Sequence, residues 1–282
     1  MSALSESGRI WVALDALERS EAPLGAALGL ARVLQAELAA LFVENVDLFR
    51  MAAFPQAFET RLFGPPRDPG GSDGPEGLQA ALRAQASALQ RQLGRAAGAS
   101  GVRWSFHIAR GRILQQALEV AGSGDCVVLP SAAIATSLAI TRPEGRATAR
   151  AGAPQARAGA GVALAASRGL SLAASPGLWA LPGAGPRGRR VLELAHRLLA
   201  DERPGRLVLP EDPLEAAELR DWLRQRGWQD EWRVASMAEL RAARQQPGAG
   251  AGILLLPRPA DDAERARLEG SLRRAGWPIV MV

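Results

Sequence analysis

The side chains able to do chemistry in this chain are few. There are 2 His and 1 Cys among 282 residues. A single thiol, Cys126, forms neither an internal disulfide nor a multi-thiolate metal site, which reads as an intracellular, metal-free protein. Cys126 opens the apolar run CVVL, where a free thiol behaves as a small hydrophobe. His107 lies in a strand-like run with no patterned partner, and His196 stands in a helix-like run beside Arg197, so both read as structural. No Ser-His-Asp order and no paired-carboxylate pattern stands out, so no catalytic residue is assigned and a protein that is not an enzyme is expected. One motif suggests a ligand. Gly183-Ala184-Gly185-Pro186-Arg187-Gly188 lies between a strand-like and a helix-like run, imitating the G-x-G-x-x-G turn whose glycines let backbone N–H groups approach phosphate. Arg187, Arg189 and Arg190 add cation, making Gly183, Gly185, Arg187 and Arg189 candidate anion ligands, with a plain turn and helix start as the alternative. An enzyme acting on an anionic substrate at residues 183–190 is the function class this turn would serve.

Charge raises a second possibility. The sequence pI is about 11.0 and the formal charge +5. Residues 1–141 hold 12 Arg against 13 acids and residues 191–282 hold 14 against 15, whereas residues 142–190 hold 8 Arg and only Glu144. The basicity belongs to a connector. Such a strip attracts polyanions through screened, salt-dependent forces. It has no aromatic residue before Trp179 on which bases could stack, so it reads as solvated linker and not as a nucleic-acid site. The opening MSALSESGR shows no apolar leader, and residues 158–185 are broken by Arg168, Gly and Pro, short of the ~18-residue run of a membrane helix. The expectation is a cytoplasmic protein without membrane contact.

The elements that would position these residues alternate regularly. At 48% hydrophobic and 22% charged the chain is globular, and its length suits two domains. Residues 9–15 (RIWVALD) have strand length and end in Asp15, and Ser20 offers a helix start. Leu24, Ala27, Leu28, Ala31 and Leu34 then form one helical stripe. Residues 37–44 read as a strand and 46–77 as an insertion. Its Phe49, Phe54, Phe58 and Phe63 suit a flap or dimer contact, with a ligand lid as the alternative. A stripe at Leu78, Leu82, Ala86, Leu89 and Leu93, a strand at 102–108, a helix at 113–121 and a strand at 126–129 complete a parallel β-α series with right-handed crossovers. The C-terminal third repeats it, with strands at 179–181, 206–209, 232–235, 253–256 and 278–282 and a helix at 190–199. Asp212 with Pro213 starts a helix that packs through Leu219, Trp222 and Leu223. Ser236 with Glu239 forms a capping box, Asp261 with Glu264 a similar start, and Leu268, Leu272 and Ala275 mark the last helix. Trp222, Trp228, Trp232 and Trp277 are expected to pack the second core, with an exposed Trp at a partner surface as the sharper alternative. WVALD and VVLP in the first half echo WALP and LLLP in the second, as a duplication would.

The segments RIWVALDALERSEAPLGAALGLARVLQAELAALFV, HIARGRILQQALEVAGSGDCVVLPS and RRAGWPIVMV resemble the universal stress protein family. There a strand ends in Asp, a Ser-containing helix start follows, a Gly precedes the third helix, and the fourth strand and closing strand carry characteristic apolar patterns. Asp15, Ser20, Gly111, residues 125–129 and residues 278–282 stand at those places. The match covers residues 9–131; the second half matches in topology and last strand. The resemblance implies an α/β fold of two Rossmann-like (adenine nucleotide alpha hydrolase-like) domains, each with a five-stranded parallel sheet flanked by helices. The domains would be residues 1–132 and a degenerate 176–282, joined by an Arg/Ala/Gly-rich connector, 133–175, that holds a candidate fifth strand at 162–166. It also implies a non-catalytic stress-response or regulatory protein acting through a protein partner, a homodimer or a small ligand. Nucleotide-binding members carry a glycine-rich loop after the fourth strand, whereas this chain reads PSAAIATSLAI at 130–140 and PRPADDAE at 257–264. Asp261 and Asp262 would repel a triphosphate, so no cofactor is expected. The alternative is ATP or AMP held by Asp15, Ser131 and Thr136.

Overall fold

A computed structural model describes residues 8–16, 21–52, 75–130, 177–199, 204–245, 252–265 and 277–282. The first half contributes β1 (Ile10–Asp15), α1 (Glu21–Leu34), β2 (Leu38–Asn45), α2 (Val46–Ala52), α3 (Pro75–Ser100), β3 (Trp104–Gly111), α4 (Ile113–Val120) and β4 (Cys126–Leu129). The second contributes β5 (Leu178–Ala180), α5 (Gly185–Leu198), β6 (Gly205–Val208), α6 (Pro213–Arg226), a 3-10 turn (Gln229–Glu231), β7 (Trp232–Ala235), α7 (Met237–Gln245), β8 (Ile253–Leu256) and β9 (Ile279–Met281). The α/β class, with parallel strands flanked by helices, is as the sequence implied, but in place of two separate five-stranded parallel sheets the described strands form one nine-stranded sheet, because β9 pairs with both β8 and β4.

The strand order is β3-β2-β1-β4-β9-β8-β5-β6-β7. Every neighbouring pair is parallel except β4 and β9, which run antiparallel with Val127 opposite Met281, Val128 opposite Val280 and Leu129 opposite Ile279. The two halves thus share one hydrogen-bonded sheet. β9 is the fifth strand of the second half, parallel to β8, and also the neighbour of β4. The candidate strand at 162–166 lies outside the described residues.

Because strand side chains alternate in direction, each face of the sheet carries its own core. Ile10, Val12, Leu14 and Val280 pack with apolar residues of α1, α3, α5 and α6 on one face. Trp11, Ala13, Leu129 and Ile279 pack with Ile113 and Leu114 of α4 and Leu240 of α7 on the other. Trp222, Trp232 and Trp277 are buried, as expected of core residues.

Three boundaries differ from expectation by more than one residue, and the strand expected at 102–108 runs from Trp104 to Gly111, where it pairs with β2 as far as Asn45. Residues 46–52 and 75–77, expected as parts of an insertion, are helical, and the rest of that stretch, 53–74 with Phe54, Phe58 and Phe63, lies outside the described residues. Phe49 packs on the core from α2. The helix expected at 190–199 starts at Gly185, because Pro186 suits the first turn of a helix and Gly188 fits inside that turn. The helix marked by Leu268, Leu272 and Ala275 lies outside the described residues.

Candidate functional site

In an open parallel sheet, ligands sit beyond the carboxyl ends of the strands, where the strand order reverses. Here that happens between β1 and β4 and again between β5 and β8. Antiparallel pairing of β4 and β9 makes the carboxyl ends at these two places point in opposite directions along the strands.

At the first, Asp15 ends β1 and is 2% exposed. The carbonyl of Ala16 accepts a bond from Gln85 Nε2 at 3.2 Å, which fastens the strand end to α3. Ser131 and Thr136 lie outside the described residues, so Asp15 alone of the three nucleotide candidates has a place in the structure. Asp125 has a structural task. Its carboxylate accepts from the backbone N–H of Arg9 at 2.7 Å, the backbone N–H of Gly122 at 2.8 Å and Trp11 Nε1 at 3.0 Å, tying the approach to β4 onto β1.

A denser group of charges stands one and two strands away. Glu44 on β2 lies opposite Arg110 on β3, and Arg110 Nε and Nη2 donate to Glu44 Oε2 at 3.1 and 2.9 Å. The Arg110 guanidinium also lies 4.5 Å from the centre of the Phe49 ring. Asp47, whose N–H donates to Asn45 Oδ1 at 2.9 Å, pairs with Arg50 at 3.2 Å and with Arg112 at 3.5 Å. Sequence reading missed these residues. Glu44 and Arg110 are 66 positions apart, and only the register of β2 against β3 brings them together.

At the second place stands the glycine motif of residues 183–188. Gly183 (φ +62°) and Gly185 (φ +67°) are left-handed, where glycine avoids a side-chain penalty. A Cβ on Gly188 would stand 2.4 Å from the Gly183 carbonyl oxygen and 2.6 Å from that of Pro182, so only glycine lets α5 pack this closely against the turn. Arg187 is engaged by the chain itself. Its Nη1 donates to Glu264 Oε2 at 2.9 Å and to the Arg258 carbonyl at 3.0 Å. Glu264 also accepts from the Ala260 N–H at 2.6 Å; that bond first, then Arg187, holds its carboxyl below the ordinary range. Arg189 is exposed on α5, and Arg190 Nη1 reaches the Ser123 carbonyl at 3.4 Å.

Arg258 follows β8 and joins the halves. Its guanidinium donates to the carbonyls of Ala121, at 3.1 Å, and Asp125, and burial lowers its pKa. Cys126 beside it is 4% exposed, and burial pushes its thiol up to about 11. His196 Nδ1 lies 2.6 Å from Glu231 Oε2 with its ring stacked on Trp228, and the exposed His107 ring sits 5.3 Å from that of Trp11. Among the described residues no group of three or more His, Cys, Asp or Glu could hold a metal ion, and no helix is long and apolar enough to cross a membrane.

A mostly parallel sheet covered by helices on both faces, with strand order that reverses within each half, is Rossmann-like. Within it, the chain has the fold of a universal stress protein. It aligns with one from Archaeoglobus fulgidus DSM 4304 at a TM-score of 0.53 and 12% identity, covering 98% of this chain and 96% of that one. A protein of the same description from Pseudomonas aeruginosa UCBPP-PA14 aligns at 0.39 and 13% identity, over 100% and 95% of the two chains. No protein-family model matches the chain. No curated protein matches it in sequence.

Proposed function

We propose that this chain is a tandem universal-stress-type protein of the cytoplasm that works as a regulatory binding module, through a protein partner, a second copy or a small ligand, and not as an enzyme. The repeated strand order supports the tandem reading. The observation that carries the loss of nucleotide is at Ala260. In the loop after β8, where a nucleotide-binding relative offers peptide N–H groups to phosphate, this N–H is taken by the chain's own Glu264 carboxylate. After β4 the sequence PSAAIATSLAI supplies no glycine for a close approach. Membrane contact and nucleic-acid binding form no part of the reading.

Titration calorimetry with ATP and magnesium tests it, and no saturable binding is expected. Submillimolar binding abolished by Asp15→Ala would overturn it in favour of an ATP- or AMP-binding protein that uses Asp15 and residues 131–136. Native mass spectrometry reports the subunit count and any co-purifying nucleotide together.

The Gly183 to Gly188 geometry favours a second reading, an enzyme handling an anionic substrate at 183–190. Anion affinity and stoichiometry that are both unchanged when Arg187, Arg189 and Arg190 are replaced by Ala eliminate it.

A further inference from the structure

We propose that the carboxyl ends of β2 and β3 form an anion site, a clasp of Arg50, Arg110 and Arg112 that takes a single phosphoryl group. A buried carboxylate is costly without a partner. Glu44 and Asp47 are 8% and 3% exposed, and each is paired with arginines that remain near the surface. The side chains of Arg50, Arg110 and Arg112 are 71%, 51% and 35% exposed. The buried acids therefore act as anchors that fix the direction of guanidinium groups facing outward. Strand register sets the Glu44 and Arg110 pair, Phe49 backs the Arg110 plane, and one carboxylate, Asp47, holds both Arg50 and Arg112.

The cluster carries three cations and two anions, which leaves one positive charge unmatched. Glu44 engages Arg110 through Nε and Nη2, and Asp47 engages Arg112 through Nε and Arg50 through Nη1. Among the described residues, these contacts leave Nη1 of Arg110 and both terminal nitrogens of Arg112 available to a ligand. Guanidinium donors in a fixed fork match phosphate oxygens and outbind a point charge there. The phosphoryl group can belong to free phosphate or to a small phosphorylated molecule. This site is separate from the 183–190 turn and does not depend on nucleotide binding.

The test is calorimetric titration of the full chain, in dilute phosphate-free buffer, with inorganic phosphate, AMP and adenosine in turn. Phosphate is expected to bind saturably at about 1 mM or tighter. Arg110→Ala with Arg112→Ala should weaken it tenfold or more, whereas Arg187→Ala leaves it unchanged. Arg110→Lys with Arg112→Lys keeps the charge and partners Glu44 and Asp47, so a fivefold or greater loss in a variant of unchanged circular dichroism isolates the fork geometry. AMP binding more tightly than phosphate, with adenosine inert, points to a phosphorylated small molecule; equal affinities point to free phosphate. No saturable phosphate binding in the unmodified chain, or an affinity in the Ala and Lys variants equal to that of the unmodified chain, overturns the proposal. ATP binding lost only in Asp15→Ala would defeat the nucleotide-free reading above and leave this one standing.

Discussion

If β9 belongs to both halves, a cavity made in it should weaken both at once. Ile279 is fully buried between Leu129 of β4 and Leu254 of β8. Ile279→Ala removes three carbons, worth about 2.4 kcal/mol at ~0.8 each, and the unfilled space adds roughly 1 kcal/mol. The total is about 3.5 kcal/mol, which at ~2 °C per kcal/mol for a chain of this size lowers Tm by about 7 °C. Urea unfolding followed by hydrogen exchange and mass spectrometry separates peptides of β1 and β4 from those of β5 and β6. Both sets should lose protection at one shared, lower urea midpoint. If β1 and β4 keep their original midpoint while β5 and β6 move, the shared sheet is not a cooperative unit and the argument fails.

Gly188→Ala should cost about 3 kcal/mol, since its new carbon meets two carbonyl oxygens, while Gly98→Ala in α3, with nothing within 4 Å, should gain roughly 0.5–1 kcal/mol; chemical denaturation measures both. The Ser236 N–H first, then its hydroxyl, lowers the Glu239 carboxyl, so this group stabilises the fold above the ordinary glutamate value of about 4.3 and ceases to as pH falls through its lower folded value. The stability difference between the unmodified chain and Glu239→Gln should therefore close on acidification, and a difference constant with pH would contradict the sign. Cys126, with its thiol at about 11, should resist alkylation at pH 8 in the native protein and react once urea unfolds it; native labelling at the rate of a free thiol would show that the strand opens.

Local chemistry was legible in the sequence and long-range register was not. β4, β7 and β8 stand where short apolar runs between polar or turn residues placed them. Asp212 caps α6 by accepting from the Leu214 N–H at 2.8 Å, and Ser236 and Glu239 exchange capping bonds at 2.7 and 3.1 Å. These signals act over three or four residues. The start of α5 was misplaced because three glycines read as a turn, although the third is what lets the helix begin so close to β5. The partners of Arg110 and Arg258 depend on which strands become neighbours. The loop after β8 drew notice for lacking glycine, yet its Arg258 proves to be a bridge to the Ala121 and Asp125 carbonyls, 137 and 133 positions away.

The place of β9 also has a bearing on biosynthesis. It is the last of these strands to be made, yet it sits at the middle of the sheet, and 150 positions separate Leu129 from its partner Ile279. At roughly 5–20 residues per second, the ribosome leaves the flank of β4 unzipped for about 8–30 s. A nascent chain carrying bare backbone donors for that long invites pairing with another nascent chain, so yield in the cell should depend on chaperone supply and translation speed more than on the strength of the finished sheet.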